Sequence, residues 1–379
     1  MDHARPRNRD VPHRTRRQHS RRAIHQKGHI MSTQKEALLE VRDLQMSLTS
    51  ASGHSHVLED LSLSVAPGES LGIIGESGSG KSVLARAIVG VQPQGVTTQS
   101  NGSIRFEGRD ILGRSPRERR GTTAAQMAMI FQDPSSTLNP LVRVGKQVLE
   151  GATQHSSRTR ASRRAYLHEL LEAVGLSDAA RIARSFPAAL SGGQRQRIGI
   201  AAALASNPRL LLADEPTTAL DVTMQRTVLD LIDRLRTERR MSLIHITHDL
   251  GVLTDRTDRI AVMYAGRIVE SGPSARMLSA PAHPYARALL DITPKLSTPV
   301  PLPLPTIPGV LPDMSVPRQG CPFASRCSRV SEVCHTTRPP VAPVSSDPDH
   351  TVACWQPFTA STPDDPTRRD SALLAAGVA

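Results

Sequence analysis

The sequence has no run approaching the ~18 consecutive apolar residues of a membrane-spanning helix, so the chain is expected to cross no bilayer by itself. Cysteine is scarce: there are four, all between Cys321 and Cys354. That distribution gives poor support to a secreted disulfide scaffold. Lysine is scarce as well, with 5 lysines against 42 arginines. The net charge is +12, and residues 1–30 hold nine Lys/Arg against two Asp/Glu, so +7 of it lies in that arm. A nucleic-acid reading of the rest is weakened accordingly. The arm also lacks the apolar stretch of a secretory signal, and no internal repeat is present. What remains is a chain of 379 residues, 38 % hydrophobic, able to bury a proper core in one large domain or two.

The most informative stretch is Gly75-Glu76-Ser77-Gly78-Ser79-Gly80-Lys81-Ser82, which fits the G-x-x-x-x-G-K-[ST] pattern of a phosphate-binding loop. Glycines let the backbone curl so that successive N–H groups point at an anion. Lys81 would reach the β- and γ-phosphates, and the Ser82 hydroxyl would ligate Mg²⁺. The context agrees: Ser70 to Ile74 reads as a buried strand and Ser82 to Val89 as a helix, whose N-terminus adds its dipole to the site.

A second constellation is Leu210 to Ala213 followed by Asp214-Glu215, an apolar strand ending in two carboxylates. Beside a phosphate loop, Asp214 can serve Mg²⁺ and Glu215 can polarise the attacking water as general base. A third is Leu190-Ser191-Gly192-Gly193-Gln194, which opens a helix and offers a second N-terminal anion site. Gly-Gly before a helix is often only a hinge, but the whole pentapeptide followed by Arg-Gln-Arg argues for more. Alternating strands are read at Leu39–Leu44 and Leu61–Val65, and further strands at Gly102–Phe106, Met127–Phe131, Leu243–Thr247 and Arg259–Tyr264, with an Arg-rich helical pattern over Leu138–Leu176. Strands interleaved with helices argue an α/β sheet.

In this order the motifs resemble an ABC-transporter ATPase over about residues 37–280. The resemblance implies a P-loop sheet core with an antiparallel β subdomain and a helical subdomain. It also implies roles: Gln132 as the Q-loop residue and a Mg²⁺ contact, residues 190–194 as the signature, Asp221 as the D-loop and His248 as the switch histidine. The form of residues 75–82, together with His283-Pro284-Tyr285 and Gly320-Cys321-Pro322-Phe323, is similar to oligopeptide and dipeptide import ATPases. One departure is Leu48, where the family often has an aromatic ring to stack on adenine.

The expected layout is a disordered basic arm (1–36), an ABC ATPase domain (37–280), a C-terminal extension of the peptide-transporter type (281–358) and a disordered tail (359–379). Pro299 to Pro308 reads as an extended linker. Cys321, Cys327, Cys334 and Cys354 are separated by five, six and nineteen residues. Four thiolates suit a [4Fe–4S] cluster or Zn²⁺, and free or disulfide-forming thiols are the alternative. The missing C-x₂₋₄-C knuckles tilt the reading toward iron–sulfur.

The resemblance implies an ATP- and Mg²⁺-dependent ATPase, peripheral on the cytoplasmic side of the cell membrane, that drives peptide uptake. Its partners would be two permeases, a second homologous ATPase subunit (a different chain before an identical one) and an extracytoplasmic substrate-binding protein, with no nucleic acid. A soluble ABC ATPase acting on nucleic acid or ribosomes is the alternative of another class. Against it stand the single ATPase domain and the lack of coiled-coil or zinc insertions. An efflux or lipoprotein-export ATPase is opposed by the HPY-type extension. The cargo stays open, a nickel chelate included.

Overall fold

The computed structural model describes residues 37–51, 53–91, 95–114, 118, 126–133, 137–152, 159–218, 220–293, 306–344 and 347–359. The expected basic arm, the tail beyond Thr359 and most of the proline linker lie outside the described residues.

The described part begins with β1 (Leu39–Ser50), β2 (Gly53–Val65) and β3 (Ser70–Ile74), then α1 (Lys81–Val89), β4 (Thr97–Phe106), β5 (Arg109–Asp110) and β6 (Met127–Ile130). Helices α2 (Val144–Glu150), α3 (Arg160–Ala173), α4 (Ala179–Arg184) and α5 (Gly192–Leu204) follow. Strands and helices then alternate through β7 (Leu210–Asp214), α6 (Val222–Arg239), β8 (Ser242–Thr247), α7 (Leu250–Leu253), β9 (Arg259–Tyr264) and β10 (Arg267–Pro273). After them come α8 (Ser274–Ser279), α9 (Pro284–Ile292), α10 (Glu332–Thr336), β11 (Ala342–Val344) and β12 (Asp347–Val352). Among the described residues no helix is long and apolar enough to cross a membrane.

Two sheets organise these elements. A four-stranded antiparallel sheet has the order β2-β1-β4-β5, and an eight-stranded sheet has the order β11-β12-β10-β9-β3-β8-β7-β6. Strands β9, β3, β8, β7 and β6 run parallel. A parallel strand covered on both faces should be apolar throughout, and every residue of β3, β7 and β8 is buried. Side chains alternate between the faces. From β7, Leu211 and Ala213 join α2 to α6 in one core. Leu210 and Leu212 join β1, β2, β4 and α1 in a second core on the other face. Strand β9 divides likewise, with Ala261 and Met263 on the second core and Ile260, Val262 and Tyr264 in a third built with α9 and Phe323.

That third core departs from the expected layout. The C-terminal segment adds β12 and β11 to the edge of the ATPase sheet through antiparallel pairing with β10. Glu270 on β10 is almost fully buried. It accepts hydrogen bonds from the N–H groups of Ala282 and His283, each at 2.7 Å, and faces His350 Nε2 at 2.7 Å. A buried carboxylate needs such partners, and this one ties β10, the start of α9 and β12 into one knot. The described residues accordingly form one compact unit. Strand β2 also exceeds its expectation: it runs from Gly53, with register shifts against β1, where the sequence pattern marks it from Leu61.

Candidate functional site

The sharp turn between β3 and α1 needs its glycines. A Cβ on Gly75 would stand 2.1 Å from the Met263 carbonyl oxygen. Gly80 has φ 100° and caps α1 without a side-chain hydrogen bond. The left-handed region is open to glycine at no steric cost, so the first N–H groups of α1 stay free of a capping side chain.

Lys81 begins α1 and is 5 % exposed. Its Nζ donates to the carbonyls of Gly75 at 2.7 Å and Glu76 at 2.9 Å. Burial lowers its pKa, against the pull of Glu215, Asp214 and Glu76. Desolvation favours the neutral amine, and nearby carboxylates favour the cation. Ser82 Oγ donates to Asp214 Oδ1 at 3.0 Å. Asp214 is 2 % exposed, and burial raises its carboxyl above the ordinary range, with the Ser82 bond opposing. A part-buried hydroxyl–carboxylate pair at the end of a strand is a hard-oxygen donor set of the kind Mg²⁺ takes. Ser79 Oγ, fully buried and without a hydrogen-bond partner, adds an orphaned polar atom to the same loop.

Glu215 follows at φ 46°. This left-handed conformation is costly for a side chain with a Cβ. Its N–H donates to the Ile246 carbonyl at 2.9 Å, which pins the turn to β8. Its carboxylate accepts from Gln132 Nε2 at 3.0 Å and Thr218 Oγ1 at 2.9 Å, and lies 3.2 Å from His248 Nδ1. The ends of β6, β7 and β8 thus bring Gln132, Asp214, Glu215 and His248 together beside the start of α1. An anion cradle, a divalent-cation donor pair and a carboxylate able to accept a proton from water share one edge of the sheet.

The second helix start expected to bind an anion stands apart in character. Ser191 caps α5: its Oγ accepts from Gln194 N at 3.2 Å, while Ser191 N donates to Gln194 Oε1 at 3.0 Å. This reciprocal capping box satisfies two donors locally. Ser191 and Gly192 are exposed. Asp221 caps α6, accepting from Thr223 N at 3.1 Å and Met224 N at 3.0 Å. A Cβ on Gly193 would come within 2.6 Å of Met224 Cε, so the two helix starts abut. Ser191, Gly193, Gln194 and Met224 line one shallow concavity.

Sequence reasoning missed several residues. Gln196, 2 % exposed, donates to the Pro216 carbonyl at 2.6 Å and links α5 to the turn after Glu215. Thr218 steadies the Glu215 carboxylate. Tyr285 Oη accepts from the Glu76 N–H at 2.8 Å, and Arg326 pairs with the Glu76 carboxylate. No local pattern announces these contacts, which span up to 250 positions. Leu48 packs, partly buried, against the core under the antiparallel sheet.

The four cysteines lie close enough to influence one another. Burial raises the Cys321 thiol, and burial pushes Cys354 up to about 11, with the other three thiols adding to it. Cys321 N donates to the Cys334 carbonyl at 2.7 Å. Among the described residues, however, no three His, Cys, Asp or Glu side chains gather into a group that could hold a metal ion. The cage expected at Cys321, Cys327, Cys334 and Cys354 is therefore not ready-made. Two of the sulfurs accept backbone hydrogen bonds: Arg329 N donates to Cys327 Sγ at 3.3 Å and Gln356 N to Cys354 Sγ at 3.4 Å.

Comparison with known proteins agrees with this geometry. Residues 58–218 match the model of the ABC transporter family, and residues 269–334 that of the oligopeptide/dipeptide transporter C-terminal region. The chain is similar to the oligopeptide transport ATP-binding protein OppD of Bacillus subtilis, at 42 % identity over 318 residues covering 84 % of this chain and 88 % of that one. The dipeptide transport ATP-binding protein DppD of the same organism is 40 % identical over 320 residues, covering 84 % and 95 %. OppD of Salmonella typhimurium is 41 % identical over 320 residues, covering 84 % and 94 %. Among solved structures, the dimeric ATP-binding cassette MJ0796 bound to ADP and Pi has 26 % identity and a TM-score of 0.55, covering 62 % of this chain and 98 % of that one.

Proposed function

Because the chain belongs to the ABC-transporter ATPases, in the branch of oligopeptide and dipeptide import ATP-binding proteins, we propose that it hydrolyses ATP at the edge formed by Lys81, Ser82, Asp214 and Glu215 to drive peptide uptake. The observation that carries this reading is the Glu215 carboxylate. It is held by Gln132 and Thr218 and faced by His248, next to the Ser82–Asp214 pair.

Residues 75–82 cradle the triphosphate and Lys81 bears on its β- and γ-phosphates. Ser82 and Asp214, with Gln132, would hold Mg²⁺, which supplies charge neutralisation between the β- and γ-phosphates. Glu215 accepts the proton of the attacking water. Gln132 and His248, both within reach of Glu215, register whether the γ-phosphate is present. Ser191, Gly192, Gly193 and Gln194 face the nucleotide of a second ATPase subunit, with Asp221 beside them. The chain sits on the cytoplasmic face of two permease subunits served by an extracytoplasmic binding protein.

Glu215→Gln tests the assignment. ATP binding should persist, while turnover falls by about 10²–10⁴-fold, the usual worth of a positioned base. Near-normal hydrolysis would remove Glu215 from that role.

The finer reading of the extension, a [4Fe–4S] cluster or Zn²⁺ on Cys321, Cys327, Cys334 and Cys354, rests on the number and spacing of the four thiols. Metal analysis of anaerobically purified protein tests it. About four irons per chain would mark the cluster and about one zinc its rival, and neither metal would dismiss both.

A further inference from the structure

Glu76 places a carboxylate inside the phosphate loop. Like charges repel, so an unpaired Glu76 would oppose the triphosphate that the loop is built to cradle. The C-terminal segment removes that conflict. Arg326 Nη1 donates to Glu76 Oε2 at 2.7 Å and Arg326 Nη2 donates to Glu76 Oε1 at 2.8 Å. Two parallel bonds of this kind fix orientation as well as charge.

The Arg326 side chain is only 4 % exposed. Its Nε donates to the Pro308 carbonyl at 2.8 Å, Nη2 also donates to Ile307 O at 3.1 Å, and Nη1 also donates to Tyr264 Oη at 3.2 Å. The guanidinium is thus held from the extension, with no slack to follow Glu76 elsewhere. The Glu76 N–H donates to Tyr285 Oη at 2.8 Å, and its carbonyl accepts from Lys81 Nζ at 2.9 Å. One residue joins the phosphate-binding lysine, the start of α9 and the cysteine-bearing segment. Leu311 lines the same side, 3.6 Å from where a Cβ on Gly78 would stand.

We infer that Arg326 is a positioning residue for ATP: it neutralises Glu76 and holds the phosphate loop in its binding shape, so that the C-terminal segment sets nucleotide affinity from behind the loop. The inference rests on the reading of residues 75–82 as the ATP site. The rival account is that Arg326 only fastens the segment to the core. Arg318 supplies the comparison, because it fastens the same segment without touching the loop. Its Nη2 donates to Glu59 Oε1 at 2.7 Å and to the Ala265 carbonyl at 3.0 Å.

The experiment is equilibrium titration of the full chain with a fluorescent ATP analogue and Mg²⁺, alongside thermal melting. Arg326→Gln should raise Kd about tenfold, since it leaves Glu76 charged and unpaired. In a Glu76→Gln background the same change should cost less than about threefold, as coupled residues are non-additive. Arg318→Gln should lower Tm with Kd within about twofold. If Arg326→Gln does not fold, Arg326→Lys replaces it, keeping the charge but losing the fork, and should raise Kd about threefold at a near-normal Tm. An unchanged Kd in Arg326→Gln or its replacement, or an equal loss in both Glu76 backgrounds, overturns the inference. Lys81→Ala is the control for the underlying reading. Wild-type binding that Lys81→Ala abolishes upholds the ATP site whatever Arg326 does. Absent wild-type binding overturns the site and the inference with it.

Discussion

The two helix starts proposed to meet nucleotide, those of α1 and α5, are built on opposite plans. At the start of α1, Ser79, Gly80 and Lys81 are buried, and the surrounding contacts reach across the whole chain, to Asp214, Tyr285 and Arg326. At the start of α5, Ser191 and Gly192 are exposed, and the cap is satisfied within four residues by Ser191 and Gln194. A site finished by its own chain can bury a lysine and a carboxylate, because the partners that offset desolvation are always present. A surface that another molecule completes must hold its shape alone, and a capping box does that with two local hydrogen bonds. The contrast explains why every proposed catalytic group belongs to the first site and none to the second.

The largest expected effect separates the two sites. Ser191→Arg puts a bulky cation on the exposed helix start. In a mixed complex it should leave nucleotide binding at this chain's Lys81 unchanged. Hydrolysis of the partner's ATP should fall on the order of 10²-fold, as when a transition-state donor is removed. Nucleotide crosslinking to each chain, read beside turnover, checks it. Undiminished hydrolysis would break the comparison, since the exposed start would then serve no nucleotide.

Acid should act on the buried core of the parallel sheet. His245 lies in β8 between Gly72 of β3 and Ala213 of β7, and burial lowers its pKa to about 4. The unfolded chain, with an ordinary pKa near 6.5, then binds the proton that the folded chain refuses. Stability contributed by the neutral ring is full above about pH 6.5 and is lost as pH falls toward 4, by roughly 1.4 kcal/mol per pH unit. Thermal melts between pH 7.5 and about 4.5 should show this slope. His245→Phe should reduce it, leaving the part contributed by His283, whose pKa burial lowers to about 3. An identical slope in that variant would clear His245 of the effect.

The smallest effect belongs to the capping box. Ser191→Ala removes the side-chain acceptor for Gln194 N and should cost about 1 kcal/mol, about 1–2 °C in Tm for a unit of this size. ATP binding at Lys81 should stay at the wild-type level. A large fall in that binding would show that the two helix starts are wired together inside one chain.

Local chemistry was the most legible part of the site. Residues 75–82 and 190–194 can be read from the sequence because a phosphate cradle and a helix cap need particular residue types at adjacent positions. Strands β3 and β7 were legible for a related reason, as burial on both faces leaves a nearly unbroken apolar run, Leu71–Ile74 and Leu210–Ala213. The association of Glu215 with Gln132 and His248 was another matter. Those residues are 83 and 33 positions away, and only the resemblance to a known family joined them in advance.

The sequence by itself thus determined the loop, the cap, the acidic strand end and the α/β alternation, all consequences of neighbours along the chain. The tertiary structure alone decided that the C-terminal segment belongs to the ATPase core. Strand β11 is only three residues long and β12 is largely polar, so neither is betrayed by a pattern, and they exist as strands because β10 offers an edge to β12, which in turn pairs with β11. It also decided that Glu76, an acid within an anion site, meets Arg326 from 250 positions away. Charge neutralisation depends on distance in space, and folding is what sets that distance.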